Sequence, residues 1–215
     1  MKTWFWQRSF AALLALVVAS TVAFAEEWVR YEGQPGSKIK IDGTSTIHDW
    51  SVESQIIKGY MELDTAFDGD LKTMKVKPKV EVTIPVRSLK SGKKLMDNVM
   101  HEAMKQTEHP QIEYRLLEMT PKGDGKGPAG PFQYDAKGTL KVSGVTRTNT
   151  MTVNMERLDP TKIKVTGVTK LKMTDFGIKP PAPDIGLGLI KTGDDVKITF
   201  EWITAQKKDQ PKTAQ

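Results

Sequence analysis

An all-β fold is what the sequence predicts: about eight antiparallel strands, closed on themselves or packed as two sheets, with one amphipathic helix. Three observations carry it. From Val76 onward the apolar residues Val76, Val80, Val82, Ile84 and Val86 all fall on even positions, with Lys77, Lys79, Glu81 and Thr83 between them. That is the period of two that gives a strand one apolar and one wet face. The segment 91–106 breaks the period: Leu95, Met96, Val99, Met100, Ala103 and Met104 are spaced three and four apart, which gathers them on one stripe of a helix. Finally, the chain has no cysteine, so a core of strands must hold without disulfides, as a domain of this length is able to do.

Taken in order, the N-terminus comes first. Lys2 and Arg8 precede an apolar run from Phe10 to Val22, which ends in Ala23-Phe24-Ala25 and then Glu26-Glu27. A positive start, a short apolar stretch and a small-x-small site make a secretory signal peptide; a spanning helix needs roughly 20 apolar residues, more than this run supplies. Residues 1–25 are therefore expected to be cleaved near Ala25, leaving a periplasmic or secreted protein with no stable membrane insertion. The domain is expected to span 26–204, with 205–215 a flexible polar tail.

The alternation recurs at Ile39 and Ile41, at Met61 and Leu63, and at Ile112, Tyr114 and Leu116. It continues at Phe132, Tyr134, Leu140 and Val142, at Met151, Val153 and Met155, at Ile163, Val165, Leu171 and Met173, and at Val196, Ile198, Phe200 and Trp202. Parallel strands covered by helices read as unbroken apolar runs, so this pattern predicts antiparallel pairing with one solvated face. For the helix, Ser91 is the expected N-cap and Pro110 bars continuation. The stretch Pro121 to Pro131, with four Gly and three Pro, reads as a long hairpin loop. A second irregular stretch runs from Lys179 through Pro180, Pro181 and Pro183 to Leu187 and Leu189.

Charge and chemistry exclude several functions. The net charge of +6 includes +2 from Lys2 and Arg8, and the remaining lysines are scattered through strands and loops rather than gathered on one face with aromatics, so no nucleic-acid partner is expected. Without cysteine there is no thiolate nucleophile and no sulfur-ligated metal. His48, His101 and His109 stand alone, with no His-x-x-x-His spacing. His48 beside Asp49 is the one suggestive pair, since a carboxylate orients an imidazole, but no second ligand or nucleophile is adjacent and a turn role is the plainer reading. The string Asp175-Phe176-Gly177 lacks the glycine-rich loop and strand lysine that give it meaning in kinases. No catalytic residue, metal or cofactor is assigned, and an enzyme is not expected.

Six segments, in order, resemble a known family: Ser37 to Trp50, Ile84 to Leu89, His109 to Ile112, Gly138 to Arg147, Thr174 to Ile178, and Gly193 to Ile198. Together they resemble the YceI-like family of periplasmic lipid- and polyisoprenoid-binding proteins. The chain departs from that family's opening strands: Ile41 stands near the expected Phe, His48 falls a few residues late, and Gly59-Tyr60-Met61 replaces Gly-x-Phe. The resemblance implies an antiparallel lipocalin-like barrel around an isoprenoid or other lipid ligand.

On that reading the interior set is Val82, Ile84, Ile112, Tyr114, Phe132, Tyr134, Leu140, Val153, Val165, Met173, Ile198 and Phe200, each in register with the apolar positions of its strand. Met96, Met100 and Met104 on the helix stripe would line or gate the interior, since methionine repacks readily. Leu187 and Leu189 are the alternative gate, and polar contacts are expected only at the ligand's head near a mouth. The competing expectation is a barrel filled by its own side chains, acting as a non-catalytic interaction or stress-related module. The sequence sets no oligomeric state and leaves a homodimer open.

Overall fold

The computed structural model describes residues 28–64, 78–122, 131–182 and 190–207. Residues 1–27, where the signal peptide is expected, Val76 and the pair Leu187 and Leu189 lie outside them. Ten strands follow in order: β1 (Trp28–Gly33), β2 (Lys38–Ser45), β3 (Trp50–Ser54), β4 (Lys58–Asp64), β5 (Lys79–Pro85), β6 (Gln111–Pro121), β7 (Phe132–Val142), β8 (Val145–Asp159), β9 (Lys162–Lys172) and β10 (Thr192–Gln206). The α-helix among the described residues, α1 (Lys94–Ala103), sits between β5 and β6.

All pairings are antiparallel, and eight strands close a barrel in the order β1, β4, β5, β6, β7, β8, β9, β10 and back to β1. Closure rests on Tyr31 opposite Gln206 and Gly33 opposite Thr204. Above that seam β10 pairs instead with β2, Ile39 facing Phe200 and Ile41 facing Ile198. β1 and β2 thus act as one long strand broken at the Pro35-Gly36 turn, and β3 with β4 forms its partner. β3 is tied across to the chain after β5 by Glu53 and Lys90, which exchange two backbone hydrogen bonds of 2.8 Å.

The alternation maps onto the inner face as the sequence predicts. Ile84 pairs with Ile112, Tyr114 with Leu140, Tyr134 with Val153, Phe132 with Met155, and Val165 with both Met155 and Trp202. Several details differ from expectation. A register shift between Leu116 and Glu118 is a bulge: it turns Leu117 out to solvent, 56% exposed, and brings Met119 back inside. β1 and β3 were not expected as strands. Met173 lies just past β9, at the start of a short 3₁₀ turn over Thr174–Phe176. Ala205 and Gln206 belong to β10 rather than to the tail, and the Lys207 amide donates to the Arg30 carbonyl at 2.7 Å.

The helix is shorter than the apolar stripe, and Ser91 is not its N-cap. That position is Lys93, with no side-chain cap. Ser91 lies two residues upstream and donates instead to the Asp97 carboxylate from both its amide and its hydroxyl, each at 2.7 Å. At the other end, the β7–β8 turn places Ser143 and Gly144 at φ +50° and +83°, the left-handed pair that a two-residue hairpin needs. The turn points the Ser143 hydroxyl at the Met104 carbonyl, 2.9 Å away, which fixes the C-terminus of α1 on the barrel rim. His101, in the last turn, adds a further tie, its Nε2–H donating to the Leu89 carbonyl at 3.0 Å.

The barrel's two ends differ. At the end bearing the β8–β9 turn, Trp28 and Lys207, the residues Tyr31, Leu63, Tyr134 and Ile163 are all buried and fill the interior as a floor. Thr204 is sealed within that floor, its hydroxyl donating to the Ile163 carbonyl at 3.0 Å. The opposite end carries α1, the β2–β3 turn and the described parts of the chain between β9 and β10, 173–182 and 190–191.

Candidate ligand cavity

Between the floor and the helix lies a cavity of about 500 Å³, within the range of roughly 300–1,000 Å³ typical of small-molecule sites. The interior is therefore open rather than filled. Its walls are built strand by strand from the alternating apolar set: Ile39 and Ile41 from β2, Val80, Val82 and Ile84 from β5, Ile112, Tyr114 and Leu116 from β6, Ala136, Leu140 and Val142 from β7, Met151, Val153 and Met155 from β8, Val165 and Leu171 from β9, and Ile198, Phe200 and Trp202 from β10. The roof is the inner stripe of α1, Met96, Val99, Met100 and Ala103, with Met104 behind it.

Of the residues expected inside, Val82, Ile84, Met96, Met100, Met104, Ile112, Tyr114, Leu140, Val153, Val165, Met173, Ile198 and Phe200 line this space. Phe132 and Tyr134 do not. They face inward, but β7 enters the barrel at the floor, so its first two inward positions pack into the floor. The sequence reading missed Trp50, Val52 and Ile57, on and just after β3, and Met119 beyond the bulge, all of which line the cavity.

The mouth lies beside the N-terminal end of α1. Ile47 and Leu95 both line the cavity and yet are 61% and 57% exposed. The lysine and histidine side chains on the lining, His48, Lys93 and Lys172, all belong to this end of the barrel. His48 and Asp49 form a turn, the plainer of the two readings: His48 Nδ1–H donates to the Asp49 backbone carbonyl at 2.8 Å, not to its carboxylate. His109 is packed against Gly144, where a Cβ would come within 2.5 Å of its Nε2. Among the described residues no three His, Asp or Glu side chains gather as metal ligands would.

Deeper in, three of the described lining residues each hold a polar atom buried without a hydrogen-bond partner: Tyr114 Oη, Asn149 Oδ1 and Trp202 Nε1. Each such group costs about 1–3 kcal/mol in desolvation. Burial also pushes the Tyr114 phenol up to about 12, so it remains a protonated donor at any physiological pH.

Three solved structures share this architecture. The polyisoprenoid-binding domain from Saccharophagus degradans implicated in plant cell wall breakdown superposes with a TM-score of 0.64 at 14% identity, over 84% of this chain and all of that one. BcnA of Burkholderia cenocepacia does so with a TM-score of 0.60 at 18% identity, over 78% of this chain and 95% of that one. The Campylobacter jejuni YceI protein gives a TM-score of 0.53 at 20% identity, over 73% of this chain and 84% of that one. These likenesses establish the fold. No curated protein sequence matches the chain. The sequence model of the YceI-like domain matches residues 20–203, nearly the whole barrel, and the chain belongs to the YceI-like family.

Proposed function

We propose that the protein holds the long apolar chain of a lipid, of polyisoprenoid or similar type, inside its barrel and carries or sequesters it. The observation that supports this best is the cavity itself: about 500 Å³ walled almost wholly by aliphatic, methionine and aromatic side chains. Burying a chain there gains roughly 0.8 kcal/mol per methylene, so ten methylenes offer about 8 kcal/mol against the cost of ordering the ligand. Membership of the YceI-like family and the fold shared with a domain described as polyisoprenoid-binding point the same way. The leader-like residues 1–25 add a second part to the reading: export, with the mature protein starting at Glu26 and working in the periplasm. The role is binding rather than catalysis.

The test is native mass spectrometry of protein purified without detergent from its own envelope fraction, followed by organic extraction and identification of what co-purifies. The expected result is a hydrophobic adduct and a mature mass beginning at Glu26. Repeated recovery of ligand-free protein that takes up no polyprenyl compound on incubation would overturn the carrier reading. An intact leader would overturn export alone.

A further inference from the structure

Other buried hydroxyls are satisfied: Thr204 donates to the Ile163 carbonyl and Ser143 to the Met104 carbonyl. The orphaned atoms of Tyr114 and Asn149 stand out against that background, because native interiors rarely leave such groups unpaired. They are also neighbours. A Cβ placed on Gly138 would lie 2.5 Å from Tyr114 Oη and from the ring carbons beside it, so the hydroxyl end of the ring rests over Gly138. Asn149 is the residue directly opposite Gly138 in β8, and directly opposed residues sit about 5 Å apart. Trp202 belongs elsewhere, its indole nitrogen lying against Gly33 near the floor.

Gly138 is four residues from Val142 at the end of β7, which puts this pair about 13 Å along the tilted strand from the helix-covered rim and about 10 Å below it. The lining residues that carry a cation, Lys93 and Lys172, belong to the rim itself, one just before α1 and the other ending β9. An anionic head would be drawn to them, since Tyr114 and Asn149 offer no cation to balance its charge. A neutral hydroxyl fits the deeper pair: its O–H donates to Asn149 Oδ1, and its oxygen accepts from the Tyr114 O–H.

We propose that Tyr114 and Asn149 form an internal polar station that takes the neutral hydroxyl head of a long-chain alcohol, so that the ligand lies head-inward with its tail toward the helix. The assignment rests on the carrier reading above and names the ligand's head group. Because both polar atoms are buried, the incoming hydroxyl meets them by turning the Tyr114 ring off Gly138, which has no side chain to wedge it.

The experiment measures affinities of 1-dodecanol, dodecane and dodecyl phosphate by displacement of a fluorescent hydrophobic dye, for the mature wild-type protein, for Tyr114→Phe and for the double variant Tyr114→Phe/Asn149→Leu. The expected result is that the dodecanol-to-dodecane affinity ratio falls about tenfold in the double variant, with Tyr114→Phe in between, while dodecane affinity holds or rises. An unchanged ratio in the double variant would mean that the station holds only water or nothing, and would overturn the inference while leaving the carrier reading intact. Dodecyl phosphate binding more tightly than dodecanol, with no loss on Tyr114→Phe, would also overturn it in favour of head-group capture at the rim lysines. Failure of all three probes to bind the wild type would sink the carrier reading and this inference together.

Discussion

Ser91 donates twice to one oxygen of Asp97, from its backbone N–H and from its hydroxyl, each at 2.7 Å. The Asp97 side chain is 9% exposed and its other oxygen lies 3.8 Å from Lys90 Nζ. This cluster ties the first turn of α1, the roof of the cavity, to the segment that leaves β5.

Asp97 should therefore govern how firmly the helix is seated. Burial opposes its ionisation, but the two Ser91 donors, with Lys90 and His101 nearby, outweigh burial and hold the carboxyl below its ordinary range. A carboxyl depressed on folding contributes stability above its unfolded pKa of about 3.9 and loses it as pH falls through the lower folded value. Asp97→Ala should cost about 1–2 kcal/mol at neutral pH. In thermal denaturation the gap between wild type and variant should narrow as pH drops below about 4. A gap independent of pH would assign Asp97 no such role.

Ligand loading should be read most clearly in α1. The helix is held by Asp97, by the His101 contact with Leu89 and by the Ser143 contact with Met104, whereas each inner strand is hydrogen-bonded on both edges. Hydrogen exchange at residues 94–103 should slow by several-fold on loading with a polyprenyl alcohol, with little change in β7 to β9. The stretch 179–193 is the control segment for the alternative gate. Equal exchange in both segments with and without ligand would leave α1 a fixed roof.

Charge placed on the inner face should be far costlier than charge removed from the outer one. Val165, 8% exposed, faces the cavity, and Ile198 lines it from β10. Val165→Asp or Ile198→Asp should destabilise by roughly 3 kcal/mol or more, since each strands a carboxylate in apolar surroundings. Lys197→Ala, on the exposed face of the same strand, should stay within about 0.5 kcal/mol in denaturant titration.

The inner face was legible in the sequence wherever alternation ran unbroken, as from Val196 to Trp202, because a strand's two faces are set by parity alone. Height along the barrel was not. Phe132 and Tyr134 share parity with Leu140, yet the first two pack into the floor and the third lines the cavity, a difference fixed by pairing register and strand direction. Parity also fails across a bulge, so nothing in Leu116-Leu117-Glu118-Met119 announces that Leu117 faces out and Met119 in. β1 and β3 carry the signal in Val29 and Tyr31, and in Val52 and Ser54, but in stretches too short to stand out. Asn149 hides for the opposite reason: a polar residue at an inward position reads as a surface residue, and only Met151 and Val153 on the same strand betray which way it points.

A tube sealed at one end has a direction. With Tyr31, Leu63, Tyr134 and Ile163 stopping the lower end, uptake and delivery by a carrier of this shape would share one doorway, and the order of passage would reverse between them: whatever part of the cargo went in first would come out last. If the head enters first, as proposed above, any acceptor would meet the trailing tail before the head, and would have to draw the molecule out by its greasy end, past Ile47 and Leu95, before reading what it had received.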